Sequence, residues 1–108
     1  MALLPEAYRL RSKSDFQRVF SEGKALELDA ARIVYAPGSG RVAVVVARSL
    51  GSAARRNQIR RRWREAVRSR LDAIPRDLDV VLIVRTSAAH LRGKEIENAL
   101  EEAFACLR

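Results

Sequence analysis

The chain has 108 residues, of which 48% are apolar and 31% are charged, and its formal net charge is +8. This balance is typical of a single globular domain and excludes a disordered or fibrous chain. The longest uninterrupted apolar run, Val42 to Ala47, is too short to cross a membrane, and a single cysteine excludes an internal disulfide and favours a reducing, cytoplasmic location.

The N-terminal part of the chain is predicted to form an extended arm over residues 1–11, followed by a short helix. A Ser-x-x-Gln capping box begins at Ser14. The helix should run to about Glu22, with Gly23 as the glycine that follows a helix end. One face of this helix is apolar, and its members are Phe16, Val19 and Phe20.

Four stretches of β-favouring residues are predicted to form strands. Residues 31–36 and 41–48 flank a Pro-Gly-Ser-Gly turn and are predicted to pair as a hairpin. A short extra strand is placed within residues 24–29. The apolar, β-rich run Leu78 to Val84 is typical of an interior strand.

Two further helices complete the predicted fold. The first runs from about Ala53 to Ala73 and ends before Pro75, and the second covers about Lys94 to Leu107. The order α-β-β-β-α-β-α predicts an α/β (α+β) sandwich, in which a small four-stranded mixed sheet packs with three helices. Because a long helix separates two strands, we expect a parallel pair with a helical crossover. No linker divides the chain, so residues 1–108 are treated as one domain.

The positive charge is concentrated in one segment. Residues 48–70 contain nine arginines and one acid, Glu65, so this window carries the whole net charge of the chain. A fold does not need such a window, whereas a polyanionic partner does.

The predicted helix from Ala53 separates its apolar and charged residues when it is projected at 100° per residue. The apolar arc contains Ile59, Trp63, Ala66, Val67, Leu71 and Ile74. A narrow stripe beside it contains Asn57, Arg61, Arg64 and Arg68, with Arg60 on its border. Like charges at this spacing repel one another, and bidentate guanidinium contacts with phosphate would relieve the repulsion. The stripe therefore predicts nucleic-acid binding, with a solvated charged face as the alternative.

The arginine segment is similar to a known motif. Arg56-Asn57, Arg60-Arg61, Arg64-Glu65 and Arg68 stand in the register of the RNR motif of the bacterial ribonuclease P protein subunit family. The segment Asp15-Phe16-Gln17-Arg18-Val19-Phe20 resembles the opening of the same family. The loop before the helix departs from the pattern, because Arg48 and Ser49 occupy positions where two lysines are usual.

The resemblance implies a function in removing 5′ leaders from precursor tRNA. The protein would be the subunit of a ribonucleoprotein endoribonuclease whose RNA subunit does the chemistry with Mg²⁺. The implied partners are that catalytic RNA and precursor tRNA, with no membrane and no obligatory protein partner. The residues implied to contact the RNA subunit are Arg48, Arg56, Asn57, Arg60, Arg61, Arg64 and Arg68.

The resemblance also implies a cleft between the first helix and the sheet that holds the single-stranded leader. The residues implied to line it are Phe16, Phe20, Ile33 and Tyr35, with Arg68 near its edge. Aromatic rings beside a basic groove can stack bases of any sequence. The alternative for Phe16 and Phe20 is ordinary core packing. The family also implies a left-handed crossover, contrary to the usual rule.

No residue of the chain is predicted to be catalytic or to bind a metal. His90 is expected to be solvated, Cys106 to be a packing or incidental residue, Trp63 to be a core residue, and Asp77 and Asp79 to be solvated acids at a strand end. Three other functions remain open: a structured-RNA-binding or ribosome-associated protein, a protein-only nuclease, and a helix that binds DNA.

Overall fold

Residues 4–107 are described by a computed structural model, and they form three helices and one four-stranded sheet. The predicted sandwich and the order of its elements are confirmed, including the short extra strand. The elements are α1 (Lys13–Glu22), β1 (Lys24–Glu27), β2 (Ala31–Pro37), β3 (Val42–Val46), α2 (Ala53–Arg68), β4 (Leu78–Val84) and α3 (Gly93–Cys106). Short 3₁₀ turns lie in the connections, at Glu6–Tyr8, Arg48–Leu50, Leu71–Ala73 and Thr86–Ala88.

The strand order is β1-β2-β4-β3, so the deeply buried strand β4 takes a central place. Val80, Val81 and Leu82 of β4 have 0% solvent exposure. β4 pairs antiparallel with β2 and parallel with β3, and α2 connects the parallel strands as predicted. The predicted hairpin of β2 and β3 is wrong, because β4 lies between them. In this central position, most side chains of β4 are buried under helices on both faces of the sheet.

Two apolar layers lie on opposite faces of the sheet, because alternate residues of a strand point to opposite sides. The larger layer packs α2 and α3 against the sheet and includes Ile33 and Leu82. The smaller layer packs α1 on the other face through Val19 and Val34. The apolar arc is confirmed for its four members within α2, the buried Ile59, Trp63, Ala66 and Val67, whereas Leu71 and Ile74 lie beyond the end of the helix. The charged stripe of α2 is thereby directed away from the sheet.

Both ends of α1 differ in detail from the prediction. Ser12, rather than Ser14, is the N-cap, and its hydroxyl accepts a hydrogen bond from the Asp15 N–H at 3.1 Å. Gly23 is extended, with φ −82°, and does not adopt the left-handed conformation. A Cβ at this position would lie 2.2 Å from the carbonyl oxygen of Val19. Glycine is therefore needed for close approach of the backbone.

Helix α2 ends earlier than the predicted Ala73. Arg70 leaves helical geometry at φ −132° and ψ 37°. Its guanidinium donates hydrogen bonds to Glu97 and Glu101 of α3, at 3.2 and 2.9 Å. The chain turns at this point, and Ile74 enters the core with 2% exposure.

The predicted extended arm, residues 1–11, is largely packed onto the fold. Residues 1–3 of this prediction lie outside the described residues. Leu4 and Leu10 are buried, and the Leu10 N–H donates a hydrogen bond to the Val42 carbonyl oxygen at 3.2 Å. The arm departs from the prediction because its leucines have apolar surface to bury and β3 has an open edge to pair.

Candidate nucleic-acid interface

The charged stripe of α2 lies on the solvent side of the helix. Asn57, Arg61 and Arg68 are exposed, and Arg64 is half-buried. Arg60 donates a hydrogen bond to Asn57 Oδ1 at 2.6 Å, which holds this guanidinium beside the stripe. The helix therefore presents its guanidinium groups side by side, as the sequence predicts.

Three arginines in residues 48–70 are used by the fold itself. Arg55 and Arg62 donate hydrogen bonds to backbone carbonyl oxygens at 3.1 and 3.5 Å, and Arg70 pairs with α3. Arg61 also has a partner, Glu65, at 3.4 Å, but this pair is exposed and therefore weak. The prediction that the fold does not need this charge is wrong for Arg55, Arg62 and Arg70.

The loop before α2 brings Arg48 to the beginning of the helix, where its side chain is exposed. Gly51 has φ +124°, a conformation that favours glycine. The Ser52 hydroxyl accepts a hydrogen bond from the Arg55 N–H at 3.2 Å. Because the Ser52 hydroxyl already accepts from one backbone N–H at this end of the helix, a bound anion would compete with it for the backbone donors.

Arg64 stands where positive charges converge. Partial burial, followed by the positive charges of Arg60 and Arg9, lowers the pKa of Arg64 below its ordinary value. Arg9 belongs to the N-terminal arm, and its Nε is buried with no hydrogen-bond acceptor in the described part of the chain. A bound anion would relieve both the repulsion and the unpaired donor.

A cavity of about 310 Å³ joins this charged corner to α1. Arg9, Arg64 and Phe16 line it together with β3 residues such as Val44. Arg64 rather than the predicted Arg68 is therefore the α2 arginine beside the aromatic helix. The sequence-based prediction left Arg9 out of the site. Its position in the basic segment just before the capping residues of α1 was the one signal that could have indicated it.

The two phenylalanines of α1 differ in their surroundings. Phe16 is half-buried and packs against the smaller apolar layer, whereas Phe20 is 49% exposed. Their ring centroids are 6.4 Å apart, with an interplanar angle of 20°. Core packing therefore accounts for part of Phe16 and for little of Phe20, which offers a ring face to solvent.

The predicted placement of Ile33 and Tyr35 beside these rings is wrong. Ile33 has 0% exposure, and it belongs with Tyr35 to the layer under α2 and α3. Val45 and Ile83 are the partly buried side chains that accompany Phe16 on the α1 face. The alternation of side chains along β2 separates Ile33 from α1, and the strand register that decides this was not readable from the sequence.

The remaining polar candidates have ordinary surroundings with one exception. His90 and Asp77 are exposed and Trp63 is buried, with 1% exposure, as predicted. Cys106 is exposed, so the packing role expected for it is wrong. Asp79 is not a solvated acid: it is 2% exposed and pairs with a guanidinium.

Within residues 4–107, no group of three or more His, Cys, Asp or Glu side chains could hold a metal ion. Over the same residues, no helix is both long and apolar enough to span a membrane.

Comparison with known proteins identifies relatives over almost the whole chain. The family model described as Ribonuclease P matches residues 4–108. The ribonuclease P protein component of Symbiobacterium thermophilum is 34% identical over 105 residues, covering 94% of this chain and 91% of the relative. That of Coprothermobacter proteolyticus is 40% identical over 97 residues, covering 89% and 81%.

Solved structures show the same fold. The RNase P protein from Thermotoga maritima superposes with a TM-score of 0.83 at 28% identity, covering 93% of this chain and 97% of that one. The Staphylococcus aureus RNase P protein gives 0.81 at 26% identity, covering 95% and 97%. With its matching sequence, its sheet order and the arginine stripe of α2, the chain belongs to the ribonuclease P protein family, the protein components of a tRNA-processing ribonucleoprotein.

Proposed function

We propose that the chain binds the catalytic RNA subunit of ribonuclease P through α2 and the 5′ leader of precursor tRNA through the cleft beside α1. One observation carries this proposal: the exposed arginine stripe is held on a helix whose other face is buried, next to a cavity that reaches an aromatic helix. Two surfaces of different chemistry thus lie side by side on one rigid domain.

The α2 stripe has the chemistry that the folded RNA requires. Guanidinium groups grip phosphate oxygens in bidentate fashion and keep their charge at every physiological pH. Counterions released from the RNA would supply much of the affinity. The proposed contacts are Arg48, Arg56, Asn57, Arg60, Arg61, Arg64 and Arg68, and the convergence of charge at Arg64 adds Arg9 to them.

The cleft has the chemistry of a single-strand site. Phe20 presents an exposed ring, and Phe16, Val45 and Ile83 form a partly buried apolar floor. Stacking on such surfaces contributes about 1–3 kcal/mol per base and tolerates any sequence. Arg64 and Arg9 would hold the phosphates of the same strand, so the site would bind leaders of varied sequence.

The chemistry of cleavage is assigned to the RNA subunit. The single histidine of the chain, His90, is exposed rather than held in the cleft. We propose that Mg²⁺ in the complex is bound mainly by RNA, since the described part of the chain offers no cluster of ligands. The protein would act in the cytoplasm by screening phosphate repulsion and by fixing the leader.

Cleavage of precursor tRNA by the catalytic RNA at low Mg²⁺, with and without the purified chain, tests this function. Stimulation of leader removal is expected. A folded preparation that binds structured RNA without stimulating cleavage would indicate a plain RNA-binding protein. Cleavage by the chain alone would indicate a protein-only nuclease, and tighter binding to duplex DNA than to structured RNA would indicate a DNA-binding protein.

A further inference from the structure

Asp79 is the one buried charged residue in the described part of the chain, with 2% exposure near the beginning of β4. Its carboxylate accepts hydrogen bonds from the backbone N–H groups of Ser39 and Arg41, at 3.1 and 3.2 Å. It also pairs with the Arg18 guanidinium of α1. A Cβ on Gly38 would lie 2.2 Å from Asp79 Cγ, so the turn before β3 is closed around this carboxylate.

Arg18 connects the aromatic helix to that carboxylate. It lies between Phe16 and Phe20 in the sequence, and its side chain is 31% exposed. The same guanidinium donates a second hydrogen bond to the Pro37 carbonyl oxygen at 2.7 Å. One side chain of α1 thus reaches both the central strand and the end of β2.

Apart from Arg18, few side chains attach α1 to the sheet. Val19 is the one fully buried residue among those of this helix, and Phe16 is half-buried. Asp15 adds an ion pair with Arg41 at 3.3 Å, with side chains 27% and 43% exposed. Without the Arg18 contact, α1 would be held by Val19, by part of Phe16 and by the partly exposed Asp15–Arg41 pair, and its tilt over the sheet would be less constrained.

We propose that Asp79, acting through Arg18, is a positioning residue that fixes α1 over the sheet and so sets the geometry of the leader cleft. A buried ion pair contributes little net stability, because desolvation offsets its attraction. Its directional contacts do specify one arrangement of α1. This inference rests on the proposed function of the cleft, since Phe16 and Phe20 matter only if the leader binds there.

The test compares Arg18→Met and Asp79→Asn with the unchanged chain, each assembled with the catalytic RNA. Arg18→Met keeps the aliphatic stem and leaves Asp79 its two backbone donors, so this variant is designed to fold. Affinity is measured for precursor tRNA and for mature tRNA, which lacks the leader. Both variants should lose about tenfold in the preference for leader-bearing tRNA, because small displacements of binding groups cost this much or more. Their affinity for the RNA subunit should change by less than about twofold, since α2 is untouched.

Two further variants separate positioning from stability. Ile96→Val shortens a fully buried side chain of α3 and should lower the melting temperature without changing the leader preference. Arg18→Lys keeps the charge without the forked geometry and should restore part of the preference. Amide exchange in Arg18→Met should be accelerated more in α1 than in β4, whereas Ile96→Val should accelerate exchange in both through global unfolding.

The outcomes are distinguishable. If the unchanged chain shows no preference for the leader, the proposed function fails and this inference fails with it. If the unchanged chain shows the preference and Arg18→Met and Asp79→Asn retain it, only the positioning role is overturned. Loss of the preference in Ile96→Val at equal destabilisation would also overturn it, because stability alone would then explain the effect.

Discussion

Arg64 occupies a position where burial and like charge both act against its ionised form. Its pKa is lowered by partial desolvation and by the neighbouring guanidinium groups of Arg60 and Arg9. The ionised form of this side chain is therefore less favourable in the isolated protein than it would be at an exposed position. It becomes favourable when a phosphate enters the cavity and supplies the missing negative charge.

Replacing Arg64 with Met should therefore separate folding from binding. We expect the free energy of unfolding to stay constant or rise by about 0.5 kcal/mol, because repulsion at helical spacing is removed. The affinity for the RNA subunit should fall about tenfold, and the slope of log K against log salt should decrease by about one. Chemical denaturation and RNA titrations at several salt concentrations measure both quantities.

Lys94→Met is the matched control, since Lys94 is an exposed cation of α3. Its removal should leave the salt slope unchanged. Equal slope changes in both variants would mean that net charge, rather than the convergence at Arg64, determines binding.

Phe20 is the better of the two aromatic probes of the cleft. Because its side chain is 49% exposed, Phe20→Ala should cost less than about 1 kcal/mol of stability, whereas Phe16→Ala removes a packed ring and should cost more. Phe20→Ala should lower the affinity for leader-bearing tRNA by about 1–3 kcal/mol, the value of one stacked base. Filter binding with precursor and mature tRNA measures the difference, and Leu91→Ala, in the loop before α3, serves as the control. Equal affinities of Phe20→Ala and the unchanged chain would show that this ring does not stack a base.

At the scale of elements, features set by neighbouring residues were predicted better than pairing between strands that are distant in the sequence. The two faces of α2 follow from a repeat of 3.6 residues, so its buried Trp63 and its exposed Arg61 were both predicted correctly. The central place of β4 depends on pairing with strands far away in the chain, which no local pattern records. A hairpin of β2 and β3 was predicted because a short turn joins the two strands in the sequence. The structure instead places β4 between them, where both faces of this strand are covered.

The same division applies to the candidate site. The stripe of α2 was predictable because one helix carries it. The cleft was not, because it joins side chains from α1, β3, β4 and the arm, and their faces depend on strand register. Ile33 and Arg68 were assigned to the cleft by resemblance alone. Val45 and Arg9 were missed because their contacts with the cleft depend on the folded arrangement and leave no pattern in the sequence.

The N-cap of α1 offers a direct comparison between the two candidate serines. Ser12→Ala should cost about 1 kcal/mol of stability, because the Asp15 N–H loses its acceptor. Ser14→Ala should cost a few tenths of a kcal/mol at most, since Ser14 lies within the first turn and is exposed. Thermal and chemical unfolding measure both variants. A larger loss for Ser14→Ala would mean that the helix begins where the capping-box pattern placed it.

At the scale of the whole molecule, the charges are sorted between faces. Arg9 and the α2 stripe converge near one cavity, while α3 carries Glu97 and Glu101, which pair with Arg70. These two acids are therefore used by Arg70 rather than by the stripe, and Glu65 is the single acid within α2, where it pairs with Arg61. The folded state consequently concentrates positive potential that the unfolded chain would disperse.

A ligand that binds the folded charge distribution and not the unfolded chain must stabilise the fold by mass action. A short oligouridylate at about 100 times its dissociation constant should add about 2.7 kcal/mol to the free energy of unfolding. For a domain of this size, the melting temperature should rise by roughly 10 °C. Thermal unfolding in chloride buffer, at constant ionic strength and with increasing oligonucleotide, measures the effect. An oligomer of the same bases on an uncharged backbone should give only the small stabilisation that stacking on Phe20 supplies. Equal stabilisation by the two oligomers would contradict the phosphate-binding role of the stripe, because stacking would then account for the whole interaction.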